Sequence, residues 1–261
     1  MAVQHHVFDD DAFVEHVADA LFALPGVEAV ALGGSRAYGT ARPDSDWDMA
    51  VHHRGGFDPQ VVRDLGWPGH LTELGGWGRI FNGGGALTVD GRTLDVHYRD
   101  LDLIDRVHED AIRGEFDVER LLFHQAGLPS TILLAELALS RPLRGGLPRW
   151  EYPPALRDAA SARWWGDARL TLHYAQEGHA RHGRVAQTAG LVSEAACQTA
   201  HAVLARRGTW VTNEKRLLGL AGLTEIDGVV AELGTEPPAL LRAVDRAREL
   251  LAAAVRREGI E

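Results

Sequence analysis

Cysteine is all but missing from this 261-residue chain: Cys197 is the only one, so no disulfide can close within it and the fold must rest on packing. Lysine is as scarce, Lys215 standing alone among 27 basic residues. No apolar run approaches the roughly 20 residues that a membrane-spanning helix needs. The start, Met1-Ala2-Val3-Gln4-His5-His6, has neither the basic region nor the apolar core of a secretory signal, and the expected location is the cytoplasm. An excess of positive charge is missing too. At a net charge of −10 the chain lacks the Lys and Arg surplus that a sequence-independent grip on DNA or RNA requires, so nucleic acid is not the expected partner. The absence of a Gly-x-x-x-x-Gly-Lys-Ser/Thr loop excludes a P-loop enzyme. There is no internal repeat and no low-complexity tract.

What is present is an ordinary globular balance, 45% apolar and 25% charged, over a length that suffices for one large domain or two modest ones. Asp9-Asp10-Asp11 opens a helix over 9–24 whose Phe13, Val14, Val17, Leu21 and Leu24 fall at helical spacing, and Pro25-Gly26 closes it. Val27 to Leu32 reads as a strand. It runs into Gly33-Gly34-Ser35, where the backbone can turn tightly and offer N–H groups to an anion, and a short helix starts at Ser35. A second apolar strand carries Asp46 and Asp48, which project from one face because side chains at i and i+2 of a strand point the same way. Two carboxylates so placed repel unless cations sit between them, and a pair of Mg²⁺ ions suits that role.

Asp58 to Leu65 reads as a short helix and 66–85 as a glycine-crowded loop with a short strand near Arg79-Ile80-Phe81. Ala86 to Tyr98 reads as a hairpin turning at Asp90-Gly91. On its second strand Leu94, Val96 and Tyr98 face one way, and Asp95, His97 and Arg99 the other. Leu101 to Ile112 is a helix capped near Asp100. Phe116 to Phe123 fits strand or helix, and Thr131 to Leu139 is a helix with Ser130 as its cap. The run 148–154 (Pro148-Arg149-Trp150-Glu151-Tyr152-Pro153-Pro154) has the composition of a linker. After it no strand pattern remains, only helices over 155–177, 186–207, 214–220 and 238–257.

Gly33-Gly34-Ser35, ten intervening residues and Asp46-x-Asp48 resemble the signature of the polymerase-β-like nucleotidyltransferase superfamily, which includes the antibiotic nucleotidyltransferases. The motif itself covers only residues 33 to 48. The resemblance implies an α+β architecture: a catalytic domain of small mixed β-sheet and flanking helices over 1–147, the linker, and an all-α helical bundle over 155–261 lining the acceptor cleft. It implies Mg²⁺-dependent transfer of a nucleotide from an NTP, ATP before others, to a hydroxyl of a small molecule such as an aminoglycoside-like antibiotic. Asp46 and Asp48 would hold the metal. Asp95, a charged residue between Leu94 and Val96 on a later strand, matches the third acidic position, as ligand, as base, or as both. Gly33, Gly34, Ser35 and Arg36 would hold the phosphates. Lys215, at a turn-to-helix junction like a phosphate-binding lysine of the aminoglycoside adenylyltransferases with a helical C-terminal domain, would join them.

Other features carry less. His173, His179 and His182 do not fall on one helical face, which disfavours a zinc site. His52-His53 reads as a solvated strand end, Trp164-Trp165 as core and interdomain packing rather than a base-stacking platform, and Glu109, Asp110 and Glu136 as a solvated helix face rather than a cation-recognising one. Gly33-Gly34-Ser35-Arg36-Ala37 is one substitution short of a Gly-x-Ser-x-Gly nucleophile elbow, but only one strand precedes it and a hydrolase leaves the aspartates unexplained. A non-catalytic, antitoxin-like nucleotide-binding module and a protein- or tRNA-modifying transferase stay open as rivals.

Overall fold

The computed structural model describes residues 8–121 and 123–260. Two compact units emerge from it: one runs to His108 and resumes over Ser130–Glu151, and the other takes Glu109–Pro129 and the chain from Tyr152 on.

The first unit is built on one sheet. Helix α1 (Asp10–Phe22) starts where Asp9 accepts a hydrogen bond from the Ala12 N–H, and it buries Phe13, Val14, Val17, Ala18 and Leu21. Strand β1 (Val27–Leu32), the single turn α2 (Gly34–Ala37) and strand β2 (Trp47–His53) follow. After α3 (Gln60–Arg63) come β3 (Gly69–Leu71), the one-turn α4 (Gly78–Phe81), β4 (Gly83–Val89) and β5 (Arg92–Asp100). Helix α5 (Leu101–Ile112) begins where Asp100 accepts from the N–H groups of Asp102 and Leu103. A two-residue pair, β6 (Val118–Glu119) with β7 (Leu128–Pro129), precedes α6 (Ile132–Leu139) and β8 (Arg141–Gly145).

The strands lie in the order β3-β4-β5-β2-β1-β8. β2 and β5 are parallel and the other pairings antiparallel, so the sheet is mixed. Its first face carries Val30, Leu32, Trp47, Met49, Val51, Leu94, Val96 and Tyr98, which make one core with the apolar stripe of α1. Odd-numbered side chains of β2 and even-numbered ones of β5 thus go to the core. The opposite parity, Asp48, Ala50 and His52 with Asp95, His97 and Arg99, lines the second face.

Several local expectations are corrected. The residues near 79–81 form a helical turn, not a strand. Gly83, Gly84 and Gly85 lie inside β4, not in a loop; a Cβ on Gly84 would stand 2.1 Å from the Val96 carbonyl oxygen, so the strand needs bare backbone there to lie close to its neighbour. The cap position of α6 falls on Thr131, not Ser130, and carries no side-chain capping bond. His52 and His53 are buried, not solvated: His52 lies on the polar second face and His53 stacks on Phe57 at 4.8 Å between ring centres. β3 and β8 were not legible; β8 is an edge strand whose residues are mostly exposed and show no alternation.

The second unit is helical apart from β6 and β7. Helix α7 (Pro154–Tyr174) pairs with α8 (Val185–Arg206), which is buried without a break from Ala195 to Ala205. α9 (Leu217–Ala221), α10 (Ile226–Ala231) and α11 (Pro237–Arg257) complete it. Trp164 and Trp165 are core residues, with Trp164 stacked on His201 at 4.8 Å. Arg163 of α7 donates to the Phe116 carbonyl at 2.6 Å and covers the Phe116 ring, which fastens the 109–129 segment to this unit. Among the described residues no helix is long and apolar enough to cross a membrane.

Candidate active site

The parallel register of β2 and β5 sets Asp48 directly opposite Asp95, both on the second face. Two carboxylates on facing positions repel when both are ionised, so this end of the face is built to receive positive charge. Asp46 lies two residues upstream, exposed, on the approach to β2. Among the described residues no three His, Cys, Asp or Glu side chains are already grouped closely enough to hold a metal ion. The donors are nevertheless of the right kind, hard oxygens of the sort Mg²⁺ takes, with two on one rung of the sheet and a third next to it on a loop.

The glycine turn is locked to this rung. The Gly33 N–H donates to the Asp48 carbonyl at 2.8 Å. Gly34 has φ +59°, and a Cβ there would stand 1.8 Å from Asp48 Oδ2. The Asp48 carboxylate therefore occupies the space a side chain at position 34 would fill, and only glycine serves both demands. Ser35 follows on α2, which is a single turn. The turn's own N–H groups, rather than a long helix dipole, are its offer to an anion.

Arg36 is engaged at this site. Its Nη2 and Nε donate to the Ser45 carbonyl at 2.7 and 3.1 Å, Nε also reaches the Asp46 carbonyl at 3.2 Å, and the guanidinium lies 3.8 Å above the Trp47 ring. These contacts tie α2 to the backbone that carries Asp46, so Arg36 positions one half of the motif against the other.

Beyond the aspartates the second face turns basic, with His52 and Arg99 buried and His97 partly so. Arg99, 2% exposed, meets Glu136 of α6 in a two-pronged ion pair, Nε to Oε2 at 2.5 Å and Nη2 to Oε1 at 2.8 Å. Arg99 Nη1 also donates to the carbonyls of Phe81 and Tyr98. Burial pushes the Glu136 carboxyl up, but the Arg99 charge and hydrogen bonds outweigh it and hold the group below the carboxylate range. Burial first, and then the Arg99 charge, lower His52 and His97 to about 4, so both rings are neutral near pH 7. Glu136, expected on a solvated helix face, is instead the counter-ion of a buried arginine. The hint in the sequence was its place among Leu133, Leu134 and Leu137, where a lone carboxylate needs a partner.

Lys215 belongs to the second unit. Its N–H donates to Asn213 Oδ1 at 3.0 Å in the turn before α9, and its side chain is exposed. The preceding Glu214 accepts from the backbone N–H groups of Gln125 and Ala126, which anchors the turn.

A turn of backbone N–H groups joined to a carboxylate rung on a mixed sheet is an arrangement for a metal-bound polyphosphate. Residues 14–126 match the family model of the nucleotidyltransferase domain. The chain carries a nucleotidyltransferase domain. Domains of this kind move a nucleoside monophosphate, with an NTP as co-substrate and a divalent metal as a general requirement. No curated protein matches the chain. A solved structure described as a nucleotidyltransferase-like protein from Exiguobacterium sibiricum 255-15 is 12% identical, with 94% of this chain and 77% of that chain covered, at a TM-score of 0.39, a likeness too slight to carry an argument.

Proposed function

We propose that this nucleotidyltransferase carries a nucleoside monophosphate from an NTP, ATP before others, to a hydroxyl of a small-molecule acceptor of the aminoglycoside-like kind, with release of pyrophosphate. The observation that carries the reading is the Asp48–Asp95 rung with Gly34 fitted against the Asp48 carboxylate. In the reaction the acceptor oxygen forms a bond to the α-phosphorus as the bond from that phosphorus to the bridging oxygen of the pyrophosphate breaks. In this reading the hydroxyl proton passes to a carboxylate, and Asp95, on the rung of Asp48, is assigned that role beside its role as a metal ligand.

Asp46, Asp48 and Asp95 would hold Mg²⁺, two ions in this reading, which supplies neutralisation of the triphosphate and of charge on the leaving group. The N–H groups of Gly34 and Ser35, with the Ser35 hydroxyl, orient the β- and γ-phosphates, while Gly33, whose N–H is bonded to the Asp48 carbonyl, holds the turn against the rung. Arg36 holds the Asp46 loop to the phosphate turn and in this reading adds charge beside it. Lys215 is assigned to the triphosphate on the resemblance of its turn-to-helix setting, where a point charge on a flexible stem suits a leaving pyrophosphate.

The test is a screen of hydroxyl-bearing acceptors with labelled NTPs and Mg²⁺, run beside Asp48→Asn. Label transfer that survives Asp48→Asn at full rate would overturn the mechanism.

A further inference from the structure

An in-line displacement puts the attacking oxygen and the leaving pyrophosphate on opposite sides of the α-phosphorus. The strand order makes those sides distinguishable. The glycine turn leaves the end of β1 on one flank of the Asp48–Asp95 rung, and β4 lies on the other, beyond β5. With the β- and γ-phosphates at Gly33–Ser35, the attacking hydroxyl has to arrive from the β4 flank.

That flank is furnished for a ligand. Ala86 stands opposite Asp95 in the β4–β5 register, small and exposed, so nothing bulky blocks the approach at that position. One rung further, Gly84 stands opposite His97, and the Trp77 ring packs so close that a Cβ on Gly84 would be 2.9 Å from it. Trp77 meets the His97 ring edge-on at 5.7 Å between centres, and both are only partly buried. His97 Nδ1 lies 3.5 Å from Arg99 Nη2, and a guanidinium can only donate. Nδ1 is therefore the accepting nitrogen and Nε2 carries the proton. Glu136 fixes Arg99, and so fixes the tautomer.

We propose that the acceptor docks on the β4 flank, over Ala86 and against Trp77, with His97 Nε2 donating a hydrogen bond to one of its oxygens. The chemistry selects a polyhydroxylated ring compound: a flat ring edge for the indole, an oxygen for the imidazole N–H, and a neighbouring hydroxyl beside Asp95 for attack. This rests on the nucleotidyl-transfer reading above and assigns the acceptor's side of the same site.

The labelling arm of the experiment needs no acceptor, and its transfer arm uses an acceptor found in the screen above. Cys197 is buried, and its thiol is pushed up to about 12 by burial, so the native chain gives little background with a maleimide. Ser35→Cys and Ala86→Cys are made separately, and the rate of maleimide labelling is measured with and without MgATP. With MgATP at about ten times its Kd, labelling at position 35 is expected to fall about tenfold, in proportion to the unliganded fraction. Labelling at position 86 is expected to stay within about twofold of its free rate, because the acceptor flank is open in the nucleotide complex. The protein labelled at position 86 is expected to bind MgATP as before and to fail in transfer. Protection at 86 as strong as at 35 would overturn the assignment and leave the nucleotide site standing. Protection at neither position would overturn the nucleotide site itself, and this assignment with it.

Discussion

Gly34→Ala is the sharpest perturbation the site offers. Two costs follow from the geometry. The first is conformational: φ is +59°, and an L-residue in that region costs about 1–2 kcal/mol relative to glycine. In a protein of this size that corresponds to a melting point about 2–8 °C lower. The second is local: the new Cβ would stand 1.8 Å from Asp48 Oδ2, so the carboxylate must swing away from its place opposite Asp95. A displacement of about 1 Å in a catalytic group costs about 100-fold in turnover. Gly26→Ala separates the two. Gly26 has φ +81° and open space around a Cβ, so it has the first cost without the second. The assay is Mg²⁺-dependent pyrophosphate release from labelled ATP, paired with a thermal melt. Both variants are expected to melt a few degrees early, and only Gly34→Ala to lose about two orders of magnitude in rate. Equal activity in the two variants would refute the claim that the glycine exists to make room for the Asp48 carboxylate.

Asp48→Asn and Asp95→Asn are expected to lower turnover by orders of magnitude with the melting point nearly unchanged, since each keeps its shape and removes only charge; matched rate and melt measurements check this. Glu136→Ala leaves Arg99 buried without its counter-ion, and chemical denaturation is expected to show a loss of about 3 kcal/mol. His52 is neutral in the fold down to about pH 4, whereas the unfolded chain takes up the proton near 6.5. Its contribution is complete above pH 6.5 and is lost as pH falls toward 4, by up to about 3 kcal/mol, and His52→Gln should flatten the stability profile in that window. Lys215→Ala is expected to raise the apparent KM for NTP or to lower turnover, with acceptor binding unaltered when no nucleotide is present; wild-type values for NTP affinity and rate would make it an ordinary residue of the turn before α9.

Local chemistry fixes the features that depend only on residues close together in the chain. Asp90-Gly91 between alternating runs can only turn back on itself, and the hairpin of β4 and β5 forms there with positive φ at both residues. The periodicity of Phe13, Val14, Val17 and Leu21 set the buried side of α1, whereas the strand expected to carry both aspartates begins at Trp47, so that Asp48 lies in the sheet and Asp46 precedes it on an exposed loop. Tertiary structure decided what depends on partners distant in the chain. That Asp95 stands on the same rung as Asp48 is a matter of register between strands nearly fifty residues apart, which no local period encodes. That Glu136 pairs with Arg99 and that His52 is buried depend on elements distant in the chain, and the one-turn helix at 78–81 lies where a short apolar run suits strand or helix alike. The segment 109–129 belongs to the helical unit, where Arg163, far along the chain, reaches back to Phe116. Spacing limits which residues can come together, and packing decides which of them meet, because a contact's energy is set by the partner and not by the residue alone.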